Sequence, residues 1–522
     1  MIREISRRKC LRLWLCKPEY MERTKWENRF VLLRFRKKNY MMFLKDLKRF
    51  KMERLYDKLK AYSESDFYAF HMPGHKRNKA LLGIELPYDL DITEIDGFDD
   101  LHHADGILKE EQERAARVFG AEESHFLVNG STAGILSAVM GCTHRGDKIL
   151  VARHCHKSIY HAIYMNGLVP RYVYPEFDIS MHMNGEISKE DVAKALAAES
   201  DIKAVVIVSP NYDGVVSDVK GIAEVAHSYR IPLIVDEAHG PHFGFHPAFP
   251  GRANDLGADV VINSLHKTLP SLTQTAILHI NGKIVNRRRI KKYLDMLQSS
   301  SPSYIFMASL DACVDFLDGK CENAFELYVE RLQKFREELE PLQHLQILRT
   351  EHYDISKVVI STANANITSP ELADRLRKEY HLEMEMTGGT YVLAMTTVAD
   401  TQEGLDRLKA ALLEIDGQLE AKTAVSGSIE ISGELPRLEQ YFTPQEAADR
   451  EEDGEAEEIP WKESEGHISL EYAYLYPPGS PVIVPGERIS REAVELLCYY
   501  ETQNLQIEGI QTEGKIKVWK HE

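Results

Sequence analysis

From Leu44 to Ser63 apolar residues recur at helical spacing (Leu44, Leu47, Phe50, Leu55, Leu59) with Lys and Arg between them, which predicts an amphipathic helical arm. A turn-rich segment, Phe70-His-Met-Pro-Gly-His-Lys76, follows. Gly106–Phe119 returns to helical periodicity, Ser124–Val128 reads as a short strand, and Ser131–Met140 reads as a helix. Further on, Lys148–Val151, Lys203–Val208, Pro232–Asp236 and Val260–Ser264 are short apolar runs of strand length, with a helix predicted over Val219–Ser228. One such run does not separate a strand from a buried helix. Their regular alternation with helices does, and it predicts an α/β domain with a mostly parallel sheet covered on both faces.

Beyond Gly319 the texture changes. Glu322–Leu342, Pro370–Glu379 and Gly404–Leu412 read as helices, and Val358–Ser361 and Tyr391–Met395 as strands, which together make a smaller α+β domain. Residues 446–465 are strongly acidic and read as a solvated linker. The prolines after Ser469 indicate a compact, turn-rich cap. The expected boundaries are a basic extension at 1–50, an N-terminal arm at 51–105, a large domain at 106–320, a small domain at 321–435, the acidic linker at 436–468 and a C-terminal domain at 469–522.

Composition narrows the class. A chain of 522 residues, 43% hydrophobic and 28% charged, is a soluble-type globular protein too long for one ordinary core. Its net charge of −17 argues against a nucleic-acid partner held by the overall field, and it favours a cationic ligand. The sequence has no apolar run long enough for a membrane span. The seven cysteines are scattered without CxxC spacing, so neither a metal site nor a disulfide framework is suggested, and a reducing cytoplasm is the simplest compartment. The first forty residues stand apart, with thirteen Lys or Arg against four Asp or Glu, a net of +9. Their apolar stretches are interrupted by charge and no small-residue cleavage site follows, while Glu4, Glu19, Glu22 and Glu27 count against a transit peptide. The reading is an appendage, or a start placed too early, with Met41, Met42 and Met52 as alternatives.

Four features carry chemistry. Asn129-Gly-Ser-Thr-Ala-Gly134 joins a strand to a helix, where backbone N–H groups and the hydroxyls of Ser131 and Thr132 make a cradle for a phosphate; a plain helix cap is the ordinary explanation. Val235-Asp-Glu-Ala-His239 ends an apolar strand, at the edge where open α/β sheets bind ligands. Asp236 there can pair with a protonated ring nitrogen, or simply cap a turn. Ser264-Leu-His-Lys267 follows another strand, and its lysine can form a Schiff base with a carbonyl cofactor, although most lone lysines are surface residues. His156, in Cys155-His-Lys-Ser158, can stack on an aromatic ring, although a lone histidine is more often structural. Individually each signal is modest. In this order they supply what pyridoxal 5′-phosphate needs: a phosphate anchor, a ring partner, a carboxylate for the pyridine nitrogen and an imine lysine.

With these motifs in place the sequence resembles the Orn/Lys/Arg decarboxylases, fold-type-I enzymes that use pyridoxal 5′-phosphate on basic amino acids. The resemblance rests on Phe70-His-Met-Pro-Gly-His-Lys-Arg77, Asp99-Asp-Leu-His-His103, Val128-Asn-Gly-Ser-Thr-Ala133, His154-Cys-His-Lys-Ser158, Val235–His239, Ser264-Leu-His-Lys-Thr-Leu-Pro270, Thr273-Gln-Thr275 and Ser300-Ser-Pro-Ser-Tyr304. Tyr476-Pro-Pro-Gly-Ser-Pro and Val484-Pro-Gly-Glu487 extend it to the end of the chain. It is similar to the shorter members, without an N-terminal wing domain. It implies a large cofactor-binding domain with a sheet of the seven-stranded type, the smaller α+β domain and a C-terminal cap.

The resemblance also assigns roles. Lys267 carries the cofactor, Asp236 holds the pyridine N–H, and His156 stacks on the ring. Ser131, Thr132, Ser264 and His266 hold the phosphate, with Ala238 or His239 near the other ring face. Ser300, in the stretch Ser299–Ser301, reaches the phosphate of a neighbouring subunit, which implies a homodimer or a higher oligomer. Pro73–Lys76 is expected near the substrate entrance. The expected reaction is decarboxylation of arginine first, then lysine or ornithine, feeding polyamine synthesis in the cytoplasm. Glu471 and Glu487 are candidate partners for the substrate's distal charge. An aminotransferase is the alternative within this chemistry, and would need a cation such as Arg375 or Arg377 for the substrate carboxylate. A non-catalytic binding protein that keeps the fold is the alternative of another class.

Overall fold

The computed structural model describes residues 54–522 except 82, 179–182, 423–433, 476–478, 503–504 and 521–522. The basic extension, the first half of the predicted helical arm and Tyr476–Pro478 lie outside the described residues. The chain order in the first half is α1 (Leu55–Ser63), α2 (Ile107–Phe119), β1 (Glu123–Leu127), α3 (Gly130–Cys142), β2 (Lys148–Ala152), α4 (Lys157–Met165), β3 (Val169–Val173), α5 (Lys189–Ala198), β4 (Ile202–Val208), α6 (Val219–Ser228), β5 (Leu233–Asp236), β6 (Val260–Asn263), the single turn α7 (Leu265–Thr268) and β7 (Ala276–Ile280). The seven strands form one sheet in the order β1-β7-β6-β5-β4-β2-β3. All are parallel except β7, which runs antiparallel to both β1 and β6.

The predicted runs become the central strands because they are apolar on both faces. Val205–Ile207, Leu233–Val235 and Val260–Ile262 are all buried, as expected for strands sandwiched between helices. One face packs on a cluster that includes Leu108, Phe126, Ile277 and Met307. The other packs on a cluster that includes Ile135, Leu150, Val206, Ile262 and Ile290. On that second face α3 lies directly against α8 (Arg287–Leu297). Gly141 permits the approach, since a Cβ there would sit 2.8 Å from the Ile290 Cα.

Helices α9 (Tyr304–Leu317) and α10 (Glu322–Glu338) lead into a four-stranded antiparallel sheet, β8 (Gln346–Ile347), β9 (Lys357–Ser361), β10 (Met386–Thr387) and β11 (Tyr391–Met395), in the order β8-β9-β11-β10. Its helices are α11 (Ser369–Tyr380) and α12 (Gln402–Asp416). Two differences from the sequence reading follow. The acidic stretch 446–465 is not a bare linker. It contributes to α13 (Pro444–Glu452), which opens on a capping box between Thr443 and Glu446, and to β12 (Ala456–Pro460), which pairs along its length with Lys515–Trp519. Its charge stays in solvent, with Glu457 and Glu458 exposed on the ribbon. The final segment is also more regular than its prolines suggest, with a helix at Arg491–Thr502 and a small core around Trp461, Ile483, Leu496 and Val518.

Candidate active site

Because the parallel strands share one direction, the residues that follow their ends gather on one edge. Asp236 at the end of β5 is paired with Val208 of β4 and Ile262 of β6. The loops after β1, β2, β4, β5 and β6 therefore converge, and with Thr273 and Gln274 before β7 they line one cavity of about 470 Å³. Nine of the residues expected from the sequence line it: Ser131, Thr132, His156, Asp236, Ala238, His239, Ser264, His266 and Lys267. The tenth, Ser300, is exposed and outside it.

The cradle is built for an anion. Gly130 turns the chain at φ 72° into α3, a conformation glycine adopts without strain. The N-cap residue Asn129 makes no side-chain cap bond to α3, whose first amide, that of Gly130, donates to the Gln274 carbonyl at 3.0 Å. Ser131 does not cap the helix either. Its hydroxyl meets that of Ser264, 2.5 Å away, across the cavity wall. Two converging hydroxyls on an uncapped helix N-terminus suit a phosphate. Nearby, His266 donates from Nδ1 to the Thr275 carbonyl at 2.8 Å, which fixes its ring.

At the centre, Lys267 Nζ lies 2.8 Å from His239 Nε2. Burial lowers the lysine's pKa, as does the Lys357 ammonium, while Asp236 opposes the shift. Burial also pushes the Asp236 carboxyl up, with Lys267 pulling it down. Its Oδ1 accepts the Ala238 N–H at 3.1 Å. His239 is held well below the ordinary histidine range by burial and the neighbouring lysines, so it is a neutral acceptor beside Lys267. His156, at about 4 because of burial and Lys267, is neutral as well. Its Nδ1 accepts the Ser158 N–H at 3.2 Å, which sets the ring at the start of α4.

Sequence reasoning missed Asn184, Asn211, Tyr212 and Asp213, which also line the cavity. The Tyr212 ring packs on His239 with centroids 4.5 Å apart. Asn211, Tyr212 and Asp213 lie in the loop after β4 and Asn184 in a two-residue strand, segments too short or irregular to show periodicity, so only the fold brings these to the site.

Other expectations are corrected. Glu487 is not a substrate partner: it is fully buried and accepts from Arg153 Nη2 at 2.9 Å and from the Val484 N–H at 2.8 Å. Glu471 is likewise spent inside its own region, on the N–H groups of Gln511 and Lys517. Arg375 and Arg377 lie on α11, bonded to Glu379, Gln418 and Asp374, and no arginine lines the cavity among the described residues.

An uncapped phosphate cradle, a buried carboxylate and a buried lysine of lowered pKa on one sheet edge define a fold-type-I enzyme, and these residues fit pyridoxal 5′-phosphate. Residues 53–421 match the family described as Orn/Lys/Arg decarboxylase, major domain, and residues 433–514 match its C-terminal domain. The chain is 33% identical over 471 residues to an arginine decarboxylase of Bacillus subtilis, covering 87% of this chain and 95% of the relative. It is 25% identical to a lysine decarboxylase of Pseudomonas aeruginosa, covering 83% of this chain and 73% of the relative. In fold it is similar to the solved constitutive lysine decarboxylase of Escherichia coli, with a TM-score of 0.76 at 21% identity, over 89% of this chain and 82% of that one. The chain belongs to the Orn/Lys/Arg decarboxylase family, and it is a pyridoxal 5′-phosphate-dependent decarboxylase of a basic amino acid.

Proposed function

We propose that the substrate is arginine, released as agmatine, and that the reaction feeds polyamine synthesis in the cytoplasm. The observation that carries the choice is the group of relatives at about one-third identity, of which four are named arginine decarboxylases. Lysine and ornithine are the next candidates. Consistent with a cytoplasmic enzyme, no helix among the described residues is long and apolar enough to cross a membrane.

The cavity lining supports the following roles. Ser131, Thr132, Ser264 and His266 would hold the cofactor's phosphate, Lys267 would attach it, and His156 with Ala238 or His239 would flank its ring. Asp236 would keep a proton on the ring nitrogen. When bound, the cofactor supplies a sink for the electron pair left by the departing carboxyl group. Burial lowers the pKa of Lys267, which brings its amine closer to the range in which it can move a proton. His239 accepts a hydrogen bond from its amine and aims it. Among the described residues no arginine lines the cavity to clamp the substrate carboxylate, which favours a decarboxylase over an aminotransferase. Ser300, exposed on one protomer, serves the phosphate of a second copy in a homodimer.

The test is incubation of the cofactor-loaded protein with arginine, lysine and ornithine separately, with products followed by mass spectrometry. Agmatine as the main product is expected. Cadaverine or putrescine would change the substrate, a 2-oxo acid would make the chain an aminotransferase, and no product from any of the three would overturn the reading.

A further inference from the structure

A basic amino acid carries a second positive charge at its far end, and a desolvated cation needs a counter-charge. Only two carboxylates line the cavity among the described residues, Asp236 and Asp213. Asp236 faces Lys267 electrostatically. Asp213 has no such neighbour. It is 7% exposed, its Oδ1 accepts the Tyr391 hydroxyl at 2.5 Å, and no Lys, Arg or His among the described residues bonds or pairs with it. Burial raises its carboxyl to about 6, against the pull of Tyr391, so it is charged at neutral pH.

The loop that carries Asp213 is held rigidly. Asn211 Oδ1 accepts the N–H groups of Gly214 and Val215 at 2.9 and 2.8 Å, and Asn211 Nδ2 donates to the Asn184 carbonyl at 2.8 Å. Asn184 also lines the cavity, and its side-chain oxygen is buried without a partner. A second acceptor without a partner thus sits in the wall beside the 211–213 loop. Tyr212, between them, packs on His239 and lies 5.9 Å from Lys267 Nζ, which ties this wall to the reacting end of the cavity.

We propose that Asp213 receives the distal cation of the substrate, with the Asn184 side-chain oxygen as a second acceptor. The inference rests on the reading of the chain as a basic amino acid decarboxylase and names the group that makes it one. A guanidinium, with several donors in a plane, can use both acceptors together; an ammonium can use the carboxylate alone.

Calorimetric titration of the cofactor-loaded chain tests it with agmatine, cadaverine and putrescine, and with pentylamine, which lacks the distal cation. Asp213→Asn keeps an acceptor for Tyr391 and removes the charge. It is expected to weaken whichever diamine or guanidine the native chain binds on the order of 10²-fold, with pentylamine binding and the visible absorption of the bound cofactor unchanged. Tyr391→Phe retains the carboxylate and removes one hydrogen bond, and should cost no more than about tenfold. Equal losses for pentylamine and the dications would reduce Asp213 to a structural role and overturn the proposal, as would dication binding that survives Asp213→Asn. Asp213-dependent dication binding by a chain that decarboxylates none of the three amino acids would uphold this site while removing the proposed reaction.

Discussion

Two buried ionic groups of this chain look alike in sequence and differ in what surrounds them. Lys267 and Asp236 lie on the wall of a cavity, with His239 as the lysine's hydrogen-bond partner. Arg153 and Glu487 are both fully buried, and they join β2's following loop to the C-terminal region. Arg153 also donates to the Val482 carbonyl at 3.0 Å and lies 4.8 Å from the Tyr172 ring centroid. The first pair is left open so that its charges can act on something else. The second is closed on all sides and acts only as a joint. Burial of a charge is therefore a poor guide to function, and access to a cavity is the better one.

Removing each lysine or glutamate should separate these cases, beginning with the largest effect. Lys267→Ala is expected to lower turnover on the order of 10⁴-fold or more and to abolish the reducible covalent link to the cofactor, with the fold intact by circular dichroism. A variant that kept turnover would place the chemistry elsewhere. Glu487→Ala leaves Arg153 buried without its partner, which costs about 3–5 kcal/mol. Its melting temperature should fall sharply, whereas the double variant Arg153→Met with Glu487→Leu should recover most of the loss. If the single variant melts like the native chain, the joint does not hold the C-terminal region. Smaller again are Ser131→Ala and Ser264→Ala, each expected to weaken cofactor affinity about tenfold in an absorbance titration. If both were silent, the phosphate would be held by other groups.

The same contrast explains what the sequence made legible. Runs such as Lys203–Val208 and Pro232–Asp236 were readable because strands buried on both faces are apolar throughout. The strand Val169–Val173 was hidden by Pro170 and Arg171, and Ala276–Ile280 by His279, which is fully buried and bonded through Nδ1 to the Ser124 hydroxyl at 2.7 Å. Lys267, Asp236 and the Ser131 cradle were readable because each directly follows or ends a strand and carries a distinct chemistry. Glu487 was misread for a physical reason: its partner Arg153 lies 334 positions away, and only the fold brings them together. Asp213 went unnoticed for the same reason, since nothing in the residues around it shows that its loop enters the cavity.

Glu237, next to Asp236, sharpens the comparison at the smallest scale. It points away from the cavity, is 3% exposed, and accepts the Ala253 N–H at 2.8 Å and Asn263 Nδ2 at 3.0 Å. No cation among the described residues bonds to it, and burial raises its carboxyl to about 8, with the Asn263 and Ala253 bonds and the Arg252 charge only partly opposing the rise. In an unfolded chain the same group titrates near ~4.3. The folded state therefore holds this proton more tightly than the unfolded state does. Its stabilising contribution is complete below about pH 4.3 and is lost as the pH rises toward 8. Glu237→Gln cannot titrate, and it can still accept the Ala253 N–H. Its amide can donate to Asn263 Oδ1, which is buried without a partner. Between pH 6 and 8 the melting temperature of the native chain should therefore fall more steeply than that of Glu237→Gln, and above about pH 8 the gap should stop widening. Parallel curves across that range would mean that Glu237 is charged at neutral pH. In that case the two adjacent carboxylates would be equivalent, and facing the cavity would not be what sets Asp236 apart.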